Sequence, residues 1–273
     1  MEIERCGNYT LHEQLNKGGM AEVYIAYNAE NKPIAIRCLR PKFKLNLFKR
    51  NEFARGLEVQ ACLNHPNVVR IIKLVKLDAI PYAVMEFVDG TNLRQTMMRK
   101  DPILSEPLPI MEQLINGLGH IHNHGYLHLD FKPENIMLSR RGEVKILDFD
   151  LAQKILKHPK PQSELKGTPS YLAPEQILRQ PVDERTDIFS LGITLFELFT
   201  GHKPVVTGEK RDIFRTYTDF SYPLPSVRAS NSSVSHKLDR IISNCLEKRA
   251  ERRYPTVSMI ARDFDQSMSV TNA

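Results

Sequence analysis

In the stretch YLHLDFKPENIML, residues 126 to 138, an aspartate, a lysine and an asparagine (Asp130, Lys132 and Asn135) interrupt a run of apolar side chains. A second aspartate, Asp148, closes the short apolar segment in EVKILDFD. A carboxylate among apolar neighbours is costly unless it is paired or holds a cation. Carboxylate and amide oxygens suit a hard divalent ion that also binds phosphate. Two such aspartates near chain turns, with an amine and an amide beside one of them, suggest a metal and phosphate site. Taken singly, any of them could equally be an Asx turn or a helix cap.

The elements that must hold these residues fall into two groups. AEVYIAYNAENKPIAIRCLR alternates β-branched, aromatic and small residues on both sides of a turn-rich NAENKP, which predicts a hairpin. Residues 46 to 63, NLFKRNEFARGLEVQACL, have helical spacing with an N-cap at Asn46, and the helix stops before His65-Pro66. NVVRIIKLVKL and YAVMEFV read as further strands. After Asp89-Gly90 the pattern turns helical, around residues 108 to 123, 186 to 199 and 236 to 247. The expectation is an α+β chain with a small sheet-rich lobe over residues 1 to 88 and a larger, mainly helical lobe over 89 to 273. Residues 157 to 170, KHPKPQSELKGTPS, form a long irregular stretch of the kind that is often functional or mobile.

Composition narrows the class. With 273 residues, 41% of them apolar, the chain can bury a sizeable core. The formal charge of +6 is uneven: Asn31 to Asn51 holds seven basic residues and no acidic one, a pattern most often of a solvated face and here also a docking face for an acidic partner. Nucleic-acid binding is not expected from it. Four cysteines without CxxC spacing and a start, MEIERCGNYT, with no leader pattern point to a reducing, cytoplasmic setting. IFSLGITLFELF, the longest apolar helix candidate, carries Glu197 and is too short to span a bilayer, so no membrane span is expected. The oligomeric state is left open.

In this order and spacing, HLDFKPEN, LDFD and GTPSYLAPE resemble the catalytic loop, metal motif and activation-segment end of the protein kinase family. LNKGGMAEVYIA resembles the glycine-rich nucleotide loop, YAVMEFVDG the hinge, and TDIFSLGITLFELFTG the central helix of the large lobe. KPEN and the spacing favour the Ser/Thr branch, particularly the bacterial-type enzymes. The resemblance implies a two-lobed kinase fold using ATP with Mg²⁺ or Mn²⁺ on a protein substrate or signalling partner. It implies that Asp130 orients and deprotonates the acceptor hydroxyl, that Lys132 neutralises the γ-phosphate, and that Thr168 links the two. Asn135 and Asp148 would hold the metal. Gly18, Gly19, Val23, Ala35, Arg37, Met85, Glu86 and Val88 would contact the nucleotide. Asp187 would hold the catalytic-loop backbone, and Arg253 would pair with Glu175.

The departures matter as much. Arg37 stands where the family has a lysine, and the two cations differ in shape and hydrogen-bond geometry. Gly56 falls where the family register places the glutamate that holds that lysine, at a helix cost of about 1 kcal/mol relative to alanine. A register slip would instead let Glu52 pair with Arg37. Asn16 and Ala21 replace two loop glycines, Asp150 replaces the glycine of DFG, and Leu129 replaces the arginine of HRD. Without that arginine, phosphorylation of the activation segment, where Ser163 is the only hydroxyl residue between Leu151 and Lys166, is not expected to switch the protein on. Two readings follow: an atypical, slow ATP-dependent Ser/Thr kinase, or a pseudokinase that binds nucleotide or partners as a scaffold. Phosphotransfer to a small molecule fits the quoted segments less well.

Overall fold

The computed structural model describes residues 5–6, 9–77 and 80–269; the remaining positions of the MEIERCGNYT start and the chain's last residues lie outside that set. Five antiparallel strands form the small lobe: β1 (Gln14–Lys17), β2 (Ala21–Tyr27), β3 (Pro33–Leu39), β4 (Ile71–Leu77) and β5 (Ile80–Glu86). Their spatial order is β1-β2-β3-β5-β4. The hairpin predicted around NAENKP is present, with Val23 opposite Arg37 and Ile25 opposite Ala35. Side chains alternate across a strand. Ile34 and Ile36 therefore join one apolar cluster, while Ala35 and Leu39 join another against the helix.

That helix, α1 (Leu47–Ala61), starts where the Asn46 side chain accepts the Lys49 amide at 3.0 Å. It lays Phe53 and Leu57, both fully buried, on the sheet. Strand β6 (Gly90–Asn92) leads into α2 (Leu93–Arg99) and α3 (Pro107–Asn123). β7 (Tyr126–Leu127), β8 (Ile136–Ser139), β9 (Val144–Ile146) and β10 (Gln153–Lys154) follow in short ribbons: β8 lies between β6 and β9, and β10 pairs with β7. The remaining large-lobe frame is α4 (Glu184–Thr200), α5 (Lys210–Thr218), α6 (His236–Cys245) and α7 (Val257–Ser269). Helix α4 is buried almost all round, consistent with its nearly continuous apolar sequence. Val69 N donates to Ile146 O at 2.9 Å and Ile146 N to Asn67 O at 2.8 Å, which stitches the two groups of elements together beside the site.

The protein is thus an α+β, two-lobed structure. No helix among the described residues is long and apolar enough to cross a membrane. The basic run is not simply a solvated face: Arg37 is 6% exposed, and Arg40 donates to the carbonyls of Gly18 and Gly19 at 3.3 and 3.4 Å. Arg37 lies on the face of β3 that also carries Ala35 and Leu39, and Arg40, one residue past the strand, folds back on the glycine loop.

Candidate active site

Asp187, fully buried at the start of α4, sets the backbone of the catalytic loop. Its Oδ2 accepts the His128 amide and its Oδ1 the Leu129 amide, each at 2.7 Å, and His122 Nε2 lies 2.9 Å from Oδ2. Leu129 is thereby held at φ +61°, a left-handed conformation that a bulky side chain keeps only when its surroundings impose it. Burial opposes ionisation of Asp187, but His122 and the backbone donors outweigh it and hold its pKa below the ordinary carboxylate range.

This loop brings Asp130, Lys132, Asn135 and Thr168 together. Lys132 Nζ donates to Asp130 Oδ2 and to Thr168 Oγ1, both at 2.6 Å. Asn135 Nδ2 donates to Asp130 O at 2.9 Å and to Asp130 Oδ2 at 3.0 Å. Thr168 thus reaches Asp130 through Lys132. Burial raises the Asp130 pKa against the opposing pull of Lys132.

Arg37 reaches into the same region from β3. Its Nη2 donates to Asp148 Oδ1 at 2.9 Å and to Asp150 Oδ2 at 2.8 Å, and its guanidinium carbon lies 5.2 Å from the centre of the Phe53 ring. The guanidinium pKa is raised: burial opposes the charge, and the two carboxylates more than offset that. Asp148, at φ +69°, has its pKa lowered because Arg37 outweighs burial. Burial and the neighbouring Asp148 push Asp150 the other way.

Glu52 does not pair with Arg37. Its two oxygens accept Lys49 at 2.6 Å and Lys166 at 2.7 Å, because it lies one helical turn before Gly56 and faces the activation segment. The register-slip alternative is therefore corrected.

Between the lobes lies a cleft with a cavity volume of about 230 Å³. Val23, Ala35, Arg37, Met85, Glu86, Val88 and Asp148 line it, whereas Gly18 and Gly19 do not. Gly18 N instead closes the loop by donating to Ala21 O at 2.9 Å. The Glu86 side chain is fixed by Lys145 Nζ and the Arg70 amide, both at 2.8 Å. Leu15, Met137 and Leu147 also line the cleft, though sequence reading did not single them out. Met137 had a usable signal, since it lies two residues after Asn135 in an apolar strand.

The donors fit a divalent ion of the magnesium type. Asn135 and Asp148 offer hard oxygens, and the described residues contain no cluster of three or more His, Cys, Asp or Glu that could cage a metal alone. Mg²⁺ is commonly bound by one or two protein oxygens together with substrate phosphates and water.

A buried ion pair and a partly buried network brace the site. Arg253 donates to Glu175 through Nη1 at 2.7 Å and Nη2 at 2.9 Å. Arg94 bridges Glu134 at 2.9 Å and Glu197 Oε2 at 2.9 Å, and also contacts the Tyr171 hydroxyl. Glu197, the one carboxylate in the apolar stretch of α4, is the residue this network satisfies.

A two-lobed fold, an interlobe cleft and this loop are the arrangement of a protein kinase-like domain, and comparison with known proteins agrees. The protein kinase domain family matches residues 9–264, and the chain belongs to that family. It is 32% identical over 264 residues to serine/threonine-protein kinase PrkC of Bacillus subtilis, covering 94% of this chain and 40% of PrkC. It is 31% identical over 265 residues to serine/threonine-protein kinase PknB of Mycolicibacterium smegmatis, covering 94% of this chain and 42% of PknB. The chain therefore spans about two fifths of the length of these relatives.

Proposed function

We propose that this domain transfers the γ-phosphoryl group of ATP to a serine or threonine hydroxyl of a protein, slowly, with Arg37 in the phosphate-binding role of the small lobe. The observation that carries this reading is the set of short contacts joining Asp130, Lys132 and Thr168, with Asn135 on the same carboxylate.

Phosphoryl transfer depends on positioning and charge neutralisation more than on covalent chemistry by the protein. Asp130 orients the acceptor hydroxyl and accepts its proton at Oδ2 or Oδ1. Lys132, held between Asp130 and Thr168, presents positive charge to the transferred group, and Thr168 shapes the floor on which the acceptor lies. Bound at Asn135 and Asp148, Mg²⁺ or Mn²⁺ would neutralise charge across the phosphates. The apolar walls from Val23, Ala35 and Met85 suit an adenine ring. Val88, just past β5, presents backbone to it.

One observation favours a second reading. Arg37 already holds Asp148 Oδ1, an atom that a metal would otherwise use. A scaffold that binds nucleotide, or only a protein partner, would keep that contact permanently. Incubating the protein with labelled ATP, Mg²⁺ or Mn²⁺ and a generic protein substrate separates the two. Label transfer that disappears in Asp130→Asn supports the kinase. A nucleotide-dependent rise in melting temperature without transfer supports the scaffold.

A further inference from the structure

Gly56 lies in the middle of α1, where glycine weakens a helix, and it faces the residues that follow Asp148. A Cβ added at Gly56 would stand 2.9 Å from three atoms at once: Asp150 Cα, Asp150 Oδ1 and the Phe149 carbonyl oxygen. Two of the three belong to the backbone, which cannot swing away as a flexible side chain could. Any side chain at 56 would overpack this contact. The helix is bare here because residues 149 and 150 fill the space.

What fills it is a carboxylate aimed at Arg37. Asp150 is 9% exposed, and its Oδ2 accepts Arg37 Nη2 at 2.8 Å. That single nitrogen serves both Asp148 and Asp150, so Nη1 of the planar guanidinium is left buried with no partner in the described chain. A buried cationic donor without a partner is costly. Arg37 itself lines the cleft. Phe53 supports the plane of the guanidinium from one side, a contact that suits arginine better than a compact ammonium.

We propose that Asp150 is the positioning residue for Arg37: its carboxylate, carried on the large lobe, does what a carboxylate at position 56 would do from α1, and Gly56 exists to admit it. Arg37 is then anchored to the same short segment that carries Asp148, and α1 supplies the Phe53 ring rather than a carboxylate. This inference rests on reading the cleft as a nucleotide site.

A double-variant cycle on Arg37 and Asp150 tests it. The proteins are the parent, Asp150→Gly, Asp150→Asn, Gly56→Glu, Arg37→Ala, and the double variant Arg37→Ala with Asp150→Asn. The readouts are the dissociation constant of a fluorescent ATP analogue, with Mg²⁺ and in its absence, and the melting temperature of each protein. Asp150→Gly and the shape-preserving Asp150→Asn should each weaken binding about tenfold or more. Gly56→Glu should weaken binding and lower the melting temperature, because Asp150 Cα and the Phe149 carbonyl crowd the new side chain. In the Arg37→Ala background Asp150→Asn should cost no further affinity and should raise the melting temperature, because it neutralises a buried carboxylate left without its cation. Such coupling is non-additive and would not arise from a merely structural role. Parent-like affinity in Asp150→Gly, or an Asp150→Asn change that lowers the melting temperature equally in the parent and in Arg37→Ala, would overturn the proposal. If the parent binds the analogue yet transfers no phosphate, the kinase reading fails while the cycle still judges Asp150. A parent that binds no analogue contradicts both.

Discussion

Glu52 on α1 and Lys166 in the activation segment, 114 positions apart in sequence, meet in a 2.7 Å ion pair. The Glu52 side chain is 4% exposed, and Lys49 takes its second oxygen at 2.6 Å. Burial disfavours its charge, but the two lysines outweigh that and lower its pKa. The pair is therefore more than a solvent-screened surface contact. It ties the stretch just before Gly167 and Thr168 to the small lobe. Lys166→Ala should loosen that stretch, seen as faster hydrogen exchange across residues 162 to 168, and should reduce phosphotransfer while leaving ATP-analogue affinity nearly unchanged. Unaltered exchange would show that the segment is held by other contacts.

Leu129 extends the same theme. It packs with Leu127 and Val182, flanked by Leu151 and Ile155. An apolar cluster occupies the place where an arginine would have received a phosphate. Lys166 and these side chains hold the segment. Ser163→Ala, or phosphatase treatment of the purified protein, should leave the transfer rate unchanged. A marked loss in either would mean that a phosphate at Ser163 finds a cation in another state of the protein.

Three histidines stack where α3 meets the loop before β4. His65 and His120 have ring centres 4.7 Å apart, and His120 and His124 4.0 Å. His65 Nδ1 accepts the Asn67 amide at 3.0 Å, and His120 Nε2 is buried without a partner. Burial lowers the pKa of His65 and His120, helped by Lys145 for the first and by His124 for the second. The sign follows directly. As pH falls, the unfolded chain takes up protons first, near the ordinary histidine value of about 6.5. The stabilising effect of the neutral rings is fully present above that value and is lost as pH falls through the lower folded-state values. The melting temperature should drop on going from pH 7 to pH 5, and His120→Gln should flatten that limb. A melting temperature independent of pH over this range would contradict it.

Arg253 has a fully buried side chain and donates to Glu175, Glu247 O, Arg185 O and Lys248 O. Removing one member of a buried ion pair leaves the other uncompensated, at a cost of about 3–5 kcal/mol. Arg253→Ala should therefore unfold at far lower denaturant concentration than the parent. A small change, comparable to that of an exposed arginine, would mean that Glu175 finds water or another donor.

How much of this was legible in the sequence depends on the range of each interaction. The Asn46 cap, the NAENKP hairpin and the buried α4 follow from local chemistry and periodicity, and all three are present. Glu175 and Arg253 are 78 positions apart and were legible only through family resemblance. Asp150 could be seen as an extra carboxylate near Asp148, but not as the partner of Arg37, because that depends on how closely α1 approaches residues 149 and 150. Nor could composition show that Arg37 leaves the basic run and turns inward, or that Arg40 folds back on the Gly18 and Gly19 carbonyls. The Arg94, Glu134, Tyr171 and Glu197 network was invisible because its members come from four separate elements that only the folded chain brings together.

The central claim is that a working phosphotransfer site has been rebuilt around an arginine. The most direct measurement is the rate of phosphate transfer from ATP to a generic protein substrate by the parent and by Arg37→Lys under identical conditions. A compact ammonium does not reproduce the planar guanidinium that lies against Phe53 and holds Asp148 and Asp150. Measurable transfer by the parent and a rate at least about tenfold lower in Arg37→Lys are predicted. A silent parent, or a lysine variant that turns over faster, would contradict it.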